Sequence, residues 1–268
     1  GPLSRQYGFG ADQVLSVELV TADGRLRHLD AQSEPDLFWA IRGGKSNFGV
    51  VTSMEIALVP VTTIYGGALF FAADSARDVL HSFRTWAPTL PDRAGTSVAL
   101  MNLPPFEHLP EPIRGKYVAM LRFAHNGGEA EGAELLAPML DAGEVLLSGV
   151  GPMPYSQSDL IHQDPTDPLP VWERGGLLRE LSAEAVEALL AVAGPATNPF
   201  LTMVELRLMG GALGRQPRVP NAVPGREAAY TLLALGALAP EIAERVPAAG
   251  EAVLSAMERW STGTVQLN

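Results

Sequence analysis

Apolar and polar positions alternate along the first sixty residues in a way that spells out strand, hairpin, helix and strand. Val14 to Val20 is a Val/Leu-rich run, and Asp23-Gly24 behind it is a hairpin signal because glycine tolerates positive φ. Arg25 to Leu29 is then the returning strand. Ser33-Glu34-Pro35-Asp36 follows the capping-box spacing, with proline near the first helical position, where its missing N–H costs nothing. The helix Asp36 to Ile41 directs Leu37, Phe38 and Ile41 at a core and stops at Gly43-Gly44. From Val50 to Leu58 the period is two: Val50, Met54, Ile56 and Leu58 share one face, and Ser53, Glu55 and Ala57 the other. Pro60 ends that strand.

Beyond residue 61 strand-like runs (Tyr65 to Phe71, Ser97 to Met101, Lys116 to Phe123, Val145 to Val150, Leu201 to Leu208) interleave with helical patterns. Ser75 to Trp86 sets Val79, Leu80, Phe83 and Trp86 at helical spacing. Glu129 to Leu140 is a second helix, and Ser182 caps a third over Ala183 to Ala193. Arg226 to Leu235, Pro240 to Val246 and Glu251 to Trp260 read as further helices. Gly151 to Arg174, with little periodicity, reads as a long loop. The order implies an α+β fold whose sheet carries helices on one side.

Composition narrows the chemistry. In 268 residues, 47% are apolar, which fits a globular chain. Lys and Arg number 19 against 30 Asp and Glu, a net charge of −11, which argues against nucleic acid or an anionic membrane as partner. Without cysteine there is no disulfide, thiolate nucleophile or iron–sulfur cluster. No apolar run approaches the ~20 residues of a membrane helix. The five histidines show no ligand spacing, so no metal site is expected. Gly44-Lys45-Ser46 resembles the tail of a P-loop, but Trp39 stands where its first glycine belongs. Gly8-Phe9-Gly10 precedes a strand instead of following one, against a dinucleotide fingerprint. No Gly-x-Ser-x-Gly elbow is present.

Four ordered blocks carry a more specific signal: Gly1 to Val14, Glu18 to Gly24, Asp36 to Gly44, and Asn47 to Thr52. Together they resemble the berberine bridge enzyme-like FAD-linked oxidoreductases of the vanillyl-alcohol oxidase/p-cresol methylhydroxylase (PCMH) superfamily. Glu205 to Ala212, Asn221 to Tyr230, and Trp260 to Asn268 extend the resemblance more loosely. It implies that residues 1–60 are the second part of a PCMH-type FAD-binding domain. Residues 61–268 would be a substrate-binding domain with a large antiparallel sheet covered by helices, and both ends of the cofactor domain would be missing. Glycines let a backbone approach the pyrophosphate without a basic side chain. By the resemblance, Gly1 lies on the loop near the flavin, Tyr7, Gly8 and Asp12 shape the next turn, Val20 offers main-chain groups to the adenine, and Asn47, Gly49 and Val51 line the cofactor.

The family's late tyrosine is absent; Val265 and Gln266 occupy the candidate positions, and neither can remove a proton at neutral pH. Glu205 and Tyr155 could face the substrate cavity, although Glu205 on a half-buried strand reads first as a solvent-side polar residue. No catalytic residue is assigned. The resemblance implies a fragment of a flavin-dependent oxidoreductase, an oxidase that passes a hydride from a small organic molecule to FAD. On its own the fragment would be inactive and bind FAD weakly or not at all. The expected location is cytoplasmic, with oligomeric state open. The alternative is a noncatalytic small-molecule-binding or assembly module that reuses the substrate-domain fold.

Overall fold

The computed structural model describes residues 1–164 and 167–266. After a short helix α1 (Ser4–Tyr7), strands β1 (Val14–Val20) and β2 (Leu26–Leu29) form a hairpin, and helix α2 (Pro35–Gly44) leads to β3 (Val50–Ile56). The three strands make an antiparallel sheet in the order β2-β1-β3. Gly24, at φ +76°, makes the hairpin turn. Phe38 of α2 packs on Val17, Leu19 and Leu29. The predicted serine cap is not used. Asp30 captures the Ser33 N–H at 2.6 Å, the Ser33 hydroxyl donates to the His28 carbonyl, and Glu34 at φ +51° starts the helix. β3 also departs from its pattern, because all seven of its residues are exposed. It pairs with β1 alone, so Val50, Met54 and Ile56 form no buried face.

The larger sheet holds eight strands. In chain order they are β4 (Thr63–Ala72), β5 (Ala94–Asn102), β6 (Tyr117–His125), β7 (Val145–Ser148), β8 (Gly151–Pro154), β9 (Val171–Leu178), β10 (Met203–Leu208) and β11 (Tyr230–Ala237). Their order is β7-β4-β6-β5-β10-β11-β9, with β8 also on β4, and every pairing is antiparallel. Helices α3 (Ala76–Trp86), α4 (Glu129–Leu140), α5 (Ala183–Ala193) and α6 (Val246–Met257) bury one face around Phe71, Phe83, Leu121, Phe123 and Leu232. The opposite face carries Ala68, Phe70, Ala99, Val118 and Met120. Because both faces are covered over β4, β5 and β6, those strands read as nearly continuous apolar runs.

The α+β class and the predicted α3, α4 and α5 agree with the structure; the Ser182 hydroxyl accepts the Ala185 N–H at 3.2 Å. Arg226 to Leu235 is corrected from helix to loop and strand. Tyr230, Leu232 and Ala234 of β11 are buried with a period of two between β10 and β9, so sheet pairing overrides the helical propensity of Leu and Ala. Pro240 to Arg245 forms turns, and the helix predicted over Glu251 to Trp260 is present but starts earlier, α6 spanning Val246–Met257 with a 3₁₀ turn over Glu258–Trp260 behind it. The supposed loop from Gly151 contains β8, a 3₁₀ turn over Tyr155–Ile161 and the start of β9; Pro165 and Thr166 of that segment lie outside the described residues.

Buried arginines tie the two sheets together. Asp12 accepts from the Phe9 N–H at 2.9 Å, from Asn221 Nδ2 at 2.6 Å and from Arg226 Nη2 at 2.5 Å. Arg42 donates to the Pro220 carbonyl at 2.6 Å, and Arg5 to the carbonyls of Leu90, Pro91, Ala94 and Met209. Removing one partner of a buried pair leaves the other charge desolvated, at a cost of about 3–5 kcal/mol. Arg226→Ala should therefore lower stability by about that amount, read as a lower urea midpoint. A loss below about 1 kcal/mol would show that the pair does not hold the sheets together.

Candidate functional site

Two neighbouring features could receive small molecules. The first is a cleft of about 510 Å³ under the small sheet, walled by Val14 and Val17 of β1, Met54 and Ile56 of β3, and the Val223-Pro224 loop, with Gly43 and Lys45 at the end of α2. Gly43 (φ +145°) is required there, since a Cβ would lie 2.3 Å from the Ala222 carbonyl carbon. The loop carrying Asn221 thus rests directly on the end of α2, and Ala222 donates its N–H to the Arg42 carbonyl.

The eight residues singled out from the sequence fall into three places. Val20, Asn47, Gly49 and Val51 gather at one end of the small sheet. Gly49 adopts φ +150° with a Cβ position 2.3 Å from the Val20 carbonyl oxygen, and Asn47 Nδ2 donates to the Gly44 carbonyl at 2.6 Å. Tyr7, Gly8 and Asp12 form the turn beneath Arg226. A Cβ on Gly8 (φ +87°) would meet Asp12 Oδ2 at 2.4 Å, and the Tyr7 hydroxyl accepts from Asn126 Nδ2. Gly1 lies apart, against the face of the large sheet opposite the helices. The walls of the 510 Å³ cleft are other residues.

The second feature is on that face, where three adjacent strands contribute polar side chains, two of them charged. Glu205 of β10 is 4% exposed, which corrects the solvent-side reading of this residue. Its Oε1 accepts from Arg122 Nη1 (β6) at 2.6 Å and from the Ser97 hydroxyl (β5) at 2.7 Å, while Arg207 Nη2 donates to Oε2 at 3.0 Å. Burial alone would raise the Glu205 pKa, but Arg207, Arg122 and the Ser97 hydroxyl outweigh it and hold the carboxyl at about 2. Such a carboxylate is ionised at neutral pH and too weak to serve as a general base. His162 lies beside it; burial, then Arg207 and Arg122, push its imidazole down to about 4. Tyr155 instead packs with Ile64, Ala124 and Ile161. Gln266 Nε2 donates to the Pro224 carbonyl and lines the first cleft; Leu267 and Asn268 lie outside the described residues.

Arg122, Arg207 and His162 were not picked out from the sequence. A signal for the first existed: Arg122 shares its face with Val118 and Met120 in an otherwise apolar strand, so it had to be buried and paired.

The shifted groups make stability depend on pH in a definite direction. His162 titrates at about 4 in the folded state and near 6.5 when unfolded, so the unfolded chain takes the proton first and stability falls as pH drops from about 6.5 to 4. Glu205, at about 2 folded, contributes stability above the ordinary glutamate pKa and loses it as pH falls through 2. His162→Gln should flatten the limb between about pH 6.5 and 4 in a series of urea midpoints. An unchanged limb would mean that this histidine is not held neutral by the arginines.

Known proteins supply the context for this geometry. No family model matches the chain. The FAD-linked oxidoreductase YgaK of Bacillus subtilis is 27% identical over 223 residues, covering 80% of this chain and 47% of YgaK. (R)-6-hydroxynicotine oxidase of Paenarthrobacter nicotinovorans is 35% identical over 102 residues, covering 38% of this chain and 19% of that enzyme. Among solved structures, a variant of Physcomitrella patens BBE-like 1 superposes with a TM-score of 0.79 at 17% identity, covering 98% of this chain and 58% of its own. Berberine bridge enzyme from Eschscholzia californica superposes with a TM-score of 0.76 at 21% identity, covering 100% and 55%. The chain spans about half the length of YgaK, a relative matched over most of it. It is a homologue of FAD-linked oxidoreductases, and over the part of their length that it spans it shares the fold of berberine bridge enzyme-like proteins.

Proposed function

We propose that this chain supplies part of the cofactor cradle and most of the substrate pocket of a flavin-dependent oxidoreductase, which oxidises a small organic molecule by hydride transfer to FAD. The observation that carries the reading is the run of FAD-linked oxidoreductases among its homologues, YgaK matching over 80% of the chain. Two of the similar proteins handle small organic molecules by name: the hydroxynicotine oxidase, and berberine bridge enzyme, solved in complex with (S)-reticuline. These names favour an oxidoreductase over a noncatalytic module.

In this reading residues 1–60 serve the cofactor and residues 61–268 the substrate. The cleft under the small sheet suits a flat ring system, because its walls are apolar and Gly43 brings backbone close, while Lys45 offers a cation at its rim. Gly1, Tyr7, Gly8, Asp12, Val20, Asn47, Gly49 and Val51 would meet the cofactor or hold the turns that do. FAD, when bound, supplies the electron acceptor. The large sheet supplies a rigid pocket face, whose buried Glu205 keeps Arg122 and Arg207 in place. No acid or base is assigned to the chain.

Expressed from its complete reading frame, the protein should purify with a flavin spectrum, and the 268-residue chain alone should take up FAD far below stoichiometry. Gly49→Val should lower the stability of the protein by at least about 1–3 kcal/mol, read as a lower urea midpoint, since it forces a side chain into that backbone conformation 2.3 Å from the Val20 carbonyl oxygen. A colourless full-length protein that fails to quench FAD fluorescence on titration would overturn the assignment.

A further inference from the structure

The geometry points to Arg207, clamped by Glu205, as an anion-binding residue of the substrate cleft, and to a substrate that carries a carboxylate. This rests on the oxidoreductase reading of the same pocket and names its substrate class.

The cleft on the face of the large sheet opposite the helices is cationic in a chain whose net charge is −11. Arg5, Arg122, Arg207, His162 and, in this 268-residue chain, the Gly1 amino group line it, and no acidic side chain does among the described residues. Arg5 is spent on four backbone carbonyls. Glu205, behind the lining, is shared by two guanidiniums, so one positive charge there has no buried counter-charge. The other acid near His162 is Asp164, which is exposed.

That surplus sits on Arg207. Arg122 and Glu205 are 3% and 5% exposed at their side chains, whereas Arg207 is 33% exposed. Only Nη2 of Arg207 is used, on the two oxygens of Glu205, leaving Nε and Nη1 without a protein partner among the described residues. Arg122, in the same cleft, also leaves a fully buried Nε without a partner. Buried N–H groups of this kind are costly unless something accepts from them. The cleft measures about 20 Å³, room for one water or one ligand oxygen. One oxygen inside and a second toward Arg207 describes a carboxylate, which a planar guanidinium matches with two parallel bonds. A phosphate, with more oxygens to accommodate, does not fit so small a space.

The test is a calorimetric titration of the flavin-free 268-residue chain with benzoate and with neutral benzamide. Benzoate should bind at least tenfold more tightly than benzamide. Arg207→Gln should abolish the difference, Arg207→Lys should retain part of it, and the exposed control Arg215→Gln should leave it unchanged. In parallel, the His162 imidazole pKa, followed by NMR, should rise on saturation with benzoate in the parent chain and stay put in Arg207→Gln. Equal binding of the two probes, undiminished binding by Arg207→Gln, or preference for inorganic phosphate would overturn the inference. Because no flavin is present, failure here leaves FAD uptake by the full-length protein as a separate result. A full-length protein without FAD would overturn the oxidoreductase reading even if benzoate binds.

Discussion

A carboxylate removed from water must be surrounded by donors, and Glu205 shows how much of the large sheet follows from that requirement. Its donors come from three neighbouring strands: Ser97 of β5, Arg122 of β6 and Arg207 on its own strand β10. Ser97 stands directly opposite Arg122 in one ladder and opposite Arg207 in the other. A slip of one residue in either ladder would turn a charged side chain into the helix-covered core, because side chains alternate faces. The polar cluster therefore fixes register at the centre of a sheet whose other positions are interchangeable apolar residues. It also leaves a cationic surface where the pocket opens.

The small sheet depends on the same rule applied elsewhere. Arg5, Arg42 and Arg226 are all buried, and each reaches carbonyls or carboxylates far along the chain. Through them the turn at Asp12 and the end of α2 are fastened to the loop around Asn221, which closes one wall of the 510 Å³ cleft. Glycine enters this arrangement for steric reasons: Gly43 and Gly49 each lie against another segment's backbone with no space for a Cβ. The small sheet and the large sheet are thus joined by buried polar contacts more than by a shared apolar core. Such contacts are directional, so they set the relative placement of cleft and pocket.

Local pattern was enough for much of the fold. The runs that became β1 and α3 carried their pattern within the segment itself, α5 carried its Ser182 cap, and the early glycine blocks carried the family resemblance. β11 was different: Leu and Ala favour a helix locally, and only the vacancy between β10 and β9 made it a strand. β3 alternates as if half-buried, yet no packed layer covers it.

The sequence alone determined the element types with strong periodicity, the glycine positions that must take unusual φ, and the likeness to flavin oxidoreductases. Tertiary structure alone decided which charges meet. Arg122 and Glu205 are 83 residues apart, and Asp12 and Arg226 are 214 apart. Their partnerships arise from strand order and loop closure, which no local window encodes, and the electrostatics of the pocket follow from those partnerships.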